Sequence, residues 1–99
     1  MDMEVVVFPN HHTRLLERLN QMRLDGRYCD IRFRIGQITL PAHRVVLAAQ
    51  SQVLRDLFNI NILQCEEEII MDNVDIQVLQ QALNFIYLGH VSITKVPAA

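Results

Sequence analysis

The stretch YCDIRFRIGQITLPAHRVVLAAQS, residues 28–51, gathers the groups that do chemistry: a thiol at Cys29, a carboxylate at Asp30, an imidazole at His43 and a guanidinium at Arg44. Three kinds of site could use them. A nucleophilic triad of Cys29, His43 and Asp30 needs a thiolate held by a base or a helix N-terminus. Cys29 instead ends an apolar strand pattern, and nothing beside it marks an oxyanion site. A metal centre needs several ligands on one face. His43, Cys65 and His90 lack ligand spacing, and the adjacent His11 and His12 diverge by about 100° on a helix. Phosphate cradles need glycine-rich loops, whereas the chain's 3 glycines fall singly at turns and helix ends. The acids Glu66, Glu67 and Glu68 read as a solvated face, because acid/base pairs require burial. The sequence therefore predicts no catalytic residue, no metal and no cofactor. Cys29 reads as a buried thiol. Asp30 and Arg44 remain to be explained by something other than catalysis.

The elements that position these residues follow from periodicity. MEVVVF, residues 3–8, is β-branched and apolar and is stopped by Pro9, so it predicts a short strand with no hairpin partner nearby. A helix is predicted over 10–25, with Asn10 as N-cap, an apolar stripe of Leu15, Leu16, Leu19 and Met22, and Gly26 as its left-handed terminator. Its wet face carries Arg14, Glu17, Arg18 and Gln21. Ile31, Phe33 and Ile35 alternate with charged residues, as a half-buried strand does. Gly36-Gln37 suits a type II′ hairpin turn, with Ile38 and Leu40 on the return strand and Pro41 ending it. AHRVVLAAQ predicts a short buried helix, and Ser51 caps the next, which faces inward through Leu54, Leu57 and Phe58. NINILQC reads as a loop and EEEIIMD as a strand with an acidic lip. Asp75 caps a core helix, with Val74 and Leu79 as a hydrophobic staple. That helix has a stripe of Leu79, Ala82, Leu83 and Ile86, broadened by Val78 and Phe85, and ends at Gly89. HVSIT predicts a last short strand.

Composition bounds the rest. At 99 residues, half of them hydrophobic and a fifth charged, the chain has the makeup of a single globular domain. A domain of this size buries its own surface only marginally, which favours a partner subunit. No apolar run approaches the roughly 20 residues that span a bilayer. The N-terminus has acids where a signal peptide needs bases. Together with two cysteines and no CxxC, this predicts an intracellular protein with reduced thiols. The net charge of −2 argues against a nucleic-acid surface. Charge is split, however: residues 1–50 sum to +2 and residues 51–99 to −4. The split reads as two solvated faces, or as steering of a partner or a second copy.

The mixed order of elements predicts an α+β fold. The segments CDIRFRIGQITLPAHRVVLAAQSQVLRDLF and VDIQVLQQALNFIYLGHVSIT together resemble the BTB/POZ domain. They match its Asp-φ-x-φ strand, its Ala-His-Arg helix start, its Leu-Ala-Ala-x-Ser turn and its Phe-φ-Tyr-x-Gly helix end. The match runs in order from Val5 to Thr94, most like the N-terminal POZ domains of zinc-finger transcription factors.

The resemblance implies a single domain over 1–99, with a first strand over 3–8, a first helix over 10–25 and a core over 28–94. It implies a small mixed sheet packed on short helices, with the first strand exchanged between protomers. Asp30 and Arg44 would form a charged pair near a dimer interface, and His43 a helix-start residue bonded to backbone. Val5, Val6, Val7 and Phe8 would cross to a partner and pair with its Val91–Thr94, through Val91 and Ile93. Leu15, Leu16, Leu19 and Met22 would add to that interface. The groove that binds corepressors in some members maps onto Arg18, Gln21 and Asp25. Asp25 places an acid where a base is expected, which argues against that particular peptide. The family usually continues with two more helices, absent here, so apolar surface would be left for a partner to cover.

The implied function is homodimerisation and protein interaction in a nuclear transcriptional regulator, with partners that include itself, other POZ domains and corepressors. No direct nucleic-acid or membrane contact is implied. The alternative is an adaptor for a cullin ubiquitin ligase. There the expected hydrophobic-x-Glu motif reads Ile62-Leu63-Gln64 and lacks its acid. A tetramerising channel-type domain fits less well, having no place for the first strand.

Overall fold

A computed structural model describes residues 3–60 and 68–90, except for the side chain of residue 60. Within them lie helices α1 (His11–Leu24), α2 (Arg44–Gln50), α3 (Gln52–Ile60) and α4 (Ile76–Leu88), and strands β1 (Ile31–Ile35), β2 (Ile38–Ala42) and β3 (Glu68–Ile70). The fold is α+β.

The three strands form a mixed sheet in the order β2-β1-β3. β1 and β2 are an antiparallel hairpin in which Ile35 faces Ile38 across Gly36-Gln37. Gly36 has φ +59°, as the first central position of a type II′ turn requires. β2 runs through Pro41 to Ala42, one residue beyond the predicted stop. Pro41 faces Arg32. In the alternation set by a two-residue turn, this is a pair that exchanges no backbone hydrogen bonds, so the missing N–H costs the ladder nothing. β3 lies parallel to β1, with Phe33 opposite Ile69, and Arg34 forms an ion pair with Glu68 at their common surface.

The core is Ile31, Phe33, Ala42, Val46, Leu47, Leu79, Leu83 and Tyr87, with Leu19, Leu54, Phe58, Ile69 and Val74 among the side chains packed around it. The caps that hold the helices in place are mostly those expected. Ser51 Oγ accepts the Leu54 N–H at 3.2 Å, and Asp75 Oδ1 accepts the Gln77 N–H at 2.7 Å. α1 ends in a Schellman turn, in which Gly26 N–H reaches Arg23 O at 3.0 Å and Arg27 N–H reaches Met22 O at 2.8 Å.

Two expectations are corrected. Asn10 does precede α1, but in the left-handed region (φ +65°) and without a side-chain cap bond, because that backbone points its amide away from the open N–H groups. Residues 3–8, expected to pair on another chain, lie outside the helices and strands of the described residues. The inner face of α4 is Leu79, Leu83 and Tyr87. The predicted stripe is rotated, so Val78 and Phe85 are 63% and 56% exposed and Ala82 is exposed beside them.

Candidate interaction site

Two regions hold the residues singled out by sequence: a polar relay that fixes the start of α2, and the outward surfaces of α1 and the opening segment.

The relay is built on Tyr87, fully buried on α4, and His43, buried at the start of α2. The Tyr87 hydroxyl accepts the His43 backbone N–H at 2.8 Å and lies 2.7 Å from His43 Nδ1. His43 Nε2 is 2.9 Å from the Arg27 carbonyl oxygen, which can only accept. The proton therefore sits on Nε2, Nδ1 accepts from the Tyr87 hydroxyl, and every polar atom of the imidazole is satisfied. Burial pushes the Tyr87 phenol up to about 12, the His43 N–H pulling the other way. It stays neutral under all ordinary conditions. The imidazole thus bonds backbone, as the family resemblance implied, and also a tyrosine side chain.

Arg23 closes the relay from α1. It is only 4% exposed. Nε and Nη2 donate to Asn20 Oδ1 at 3.0 and 2.7 Å, Nη2 donates to Asn84 Oδ1 at 2.8 Å, and the guanidinium lies 5.0 Å above the Tyr87 ring. Burial lowers its pKa, while Tyr87 and Cys29 raise it. A charge held by amide dipoles and a π face locks α1 onto α4 in one rotation. Sequence reading missed Arg23, Asn20, Asn84 and the burial of Tyr87. The signal was present: Tyr87 continues the i, i+4 series from Leu79 and Leu83, and Arg23 continues it from Leu19.

Cys29 and His43 do come together, with Sγ 3.6 Å from Nε2. The chemistry is not that of a nucleophile. Nε2 carries its proton toward Arg27, and Sγ lies 3.5 Å from the same carbonyl. Burial pushes the thiol pKa up, and Asp30 adds to it, against a smaller lowering by Arg23. Cys29 is a protonated thiol. Among the described residues no group of three metal-ligand side chains converges.

Asp30 and Arg44 meet, though not as the expected pair of side chains. Asp30 is exposed, and its Oδ1 accepts the Arg44 backbone N–H at 2.7 Å. This bond satisfies one of the open amides in the first turn of α2. The Arg44 guanidinium points elsewhere, over the Phe58 ring at 5.8 Å. Both residues line a groove of about 580 Å3, together with Cys29, Arg32, Thr39 and Pro41.

The described residues among those expected at an interface lie on the opening segment and α1. Val5, Val6, Val7 and Phe8 are 70–84% exposed, and Leu15 is 51% exposed. Leu16, Leu19 and Met22 are half-buried. Arg18, Gln21 and Asp25 are exposed on α1, where Gln21 Nε2 donates to Asp25 Oδ1 at 3.2 Å. Val91, Ile93 and the motif at Ile62-Leu63-Gln64 lie outside the described residues.

This is the anatomy of a recognition domain: a hydrogen-bonded relay in the interior and an apolar arm turned to solvent. Comparison with known proteins gives the class its family. The BTB/POZ domain model matches residues 19–99. Human "Zinc finger and BTB domain-containing protein 14" is 33% identical over 86 residues, covering 87% of this chain and 19% of the relative. Human "Kelch-like protein 28" is 34% identical over 86 residues, covering 86% of this chain and 15% of the relative. The solved BTB domain of zebrafish PATZ1 superposes with a TM-score of 0.78 at 30% identity, covering 93% of this chain and 75% of that one. The chain belongs to the BTB/POZ family and is a protein-interaction module. It spans less than a fifth of the curated relatives just named.

Proposed function

We propose that this chain is the homodimerising domain of a nuclear, zinc-finger-type transcription regulator, presenting surfaces to corepressor proteins. The observation that carries the reading is the opening segment. Four consecutive apolar residues, Val5–Phe8, stand in solvent outside any helix or strand of the protomer. Burying each such side chain is worth roughly 1.5–3 kcal/mol, and that outweighs the roughly 1–2 kcal/mol per residue of backbone ordering. A second copy that receives the segment on its residues 91–94, with Leu15, Leu16, Leu19 and Met22 alongside, supplies the missing burial. Dimerisation then acts by avidity, joining two sets of DNA-binding arms that lie outside this chain. The zinc-finger relatives support the nuclear setting.

The experiment is light scattering over a range of concentrations. The intact chain is expected to have dimer mass, and removal of residues 1–8 to weaken association at least tenfold. Unchanged mass and unchanged stability after the deletion would sink the reading.

The Kelch-like relative keeps a second reading in play, an adaptor for a cullin ubiquitin ligase. Gln64 in place of the acid counts against it. A nanomolar complex with purified cullin would favour it over the first.

A further inference from the structure

We infer that the first turn of α1 is an acid-sensitive joint: charging His11 and His12 unwinds residues 11–14 and lengthens the arm that carries Val5–Phe8. The joint lies within the protomer and works whatever receives the arm. Helix starts favour a polar side chain over the open amides and an acid nearby, because both answer the positive end of the backbone dipole. α1 has neither. Asn10 makes no side-chain cap bond, and the first turn contains no acid. The first acid along the helix is Glu17, too far on for an end effect that fades within one turn. Two adjacent imidazoles stand at the start instead, followed closely by Arg14. Backbone bonds tie the turn to what precedes it: His11 N–H donates to Phe8 O at 3.3 Å, and Arg14 N–H to Asn10 O at 2.9 Å.

Tertiary packing lends this turn little. Residues 11–15 are all exposed, whereas most helices in proteins are held by a buried face. The two imidazoles touch each other edge to face, with ring centroids 6.0 Å apart. The charged side chains nearest to them in sequence are Glu4, Arg14 and Glu17, and among the described residues none of these pairs with an imidazole. Histidine changes its charge between pH 8 and pH 5. Neutral rings keep a favourable edge contact and leave the dipole unopposed. Charged rings repel each other, and each sets a positive charge beside the positive end of the helix. One such charge shifts a local helix–coil balance roughly 2- to 5-fold against the helix, and two together roughly 3- to 30-fold. An extended residue spans about 3.3 Å against 1.5 Å in a helix, so unwinding residues 11–14 lengthens the arm by roughly 7 Å.

The test is amide hydrogen exchange of the full chain at one protomer concentration, at about pH 7.5 and about pH 5.5. Rates are corrected for their intrinsic dependence on pH, so that protection factors report the local balance. The reporters are the Arg14 amide, which bonds Asn10 O, and the Leu15 amide one residue on. Their protection should fall roughly 3- to 30-fold on acidification, while that of Met22 and Arg23, at the packed end of α1, should hold. His11→Gln together with His12→Gln should abolish the fall, since glutamine gains no charge. Thr13→Glu returns an acid to the first turn and should raise protection at both pH values. Unchanged protection in the native chain, an equal fall in the glutamine variant, or a fall shared by Met22 and Arg23 would overturn the joint.

Discussion

Replacing Tyr87 by Phe isolates what the buried relay contributes. The ring stays, with its packing against the core and its contact with Arg23. Only the hydroxyl goes, and with it two partners: the His43 N–H at 2.8 Å and Nδ1 at 2.7 Å. His43 is buried and Tyr87 fully so, which leaves water little access to either orphan. A buried polar group left unsatisfied costs about 1–3 kcal/mol. Two of them, sharing one site, cost roughly 2–4 kcal/mol, a large share of the 5–15 kcal/mol that holds a typical domain together. The assay is urea unfolding followed by circular dichroism, at one fixed protomer concentration because association adds to apparent stability. The midpoint should fall while the slope with denaturant stays the same. A loss below about 0.5 kcal/mol, the scale of a surface substitution, would refute the relay as a fixture of the fold.

Alkaline pH tests the same site without mutation. The folded phenol titrates near 12 and the unfolded one near 10. Between these values the unfolded chain binds fewer protons, so stability falls as pH rises, by up to about 1.4 kcal/mol per pH unit. The raised Cys29 thiol acts in the same direction. The descent should start near the ordinary tyrosine range, and Tyr87→Phe should flatten it; an equal descent in the variant would assign it to other groups. Arg23→Ala leaves the Asn20 and Asn84 amide oxygens without their donor and opens a gap beneath α1. It should cost about 2–4 kcal/mol, with Arg23→Met recovering part by refilling the space. A calorimetric loss within 0.5 kcal/mol would mean that α1 is held by other contacts.

Much of this architecture was legible where a local rule has one physical solution. Asp75, the Gly36 turn, the Ser51 cap and the Gly26 and Gly89 terminators each answer a need of the backbone that few residue types meet. The faces were harder to read. Val78 and Phe85 are as apolar as Leu83, so composition alone could not say which edge of α4 turns inward. The tyrosine at position 87 decided it, because its hydroxyl had a partner waiting on another element. Arg23 was illegible for a related reason: a buried guanidinium is tolerable only when amides such as Asn20 and Asn84 converge on it from two helices, and one of these lies 61 residues away along the chain. Asp30 meets Arg44 at the Arg44 backbone N–H. Sequence could not show that the contact would run through backbone, since an acid ahead of a helix can serve the amides or the side chain equally well.

Pro41 has a consequence for assembly. Among the described residues β2 is an outer strand, and at Pro41 its outer rim carries no amide hydrogen. A further strand laid along that rim would find its ladder interrupted at the fourth residue of a five-residue run, which disfavours outward growth of the sheet. On the proposed exchanged-arm reading, copies of this domain would meet through the arm while the hairpin rim stays inert. That is the difference between an oligomer that closes and one that keeps growing.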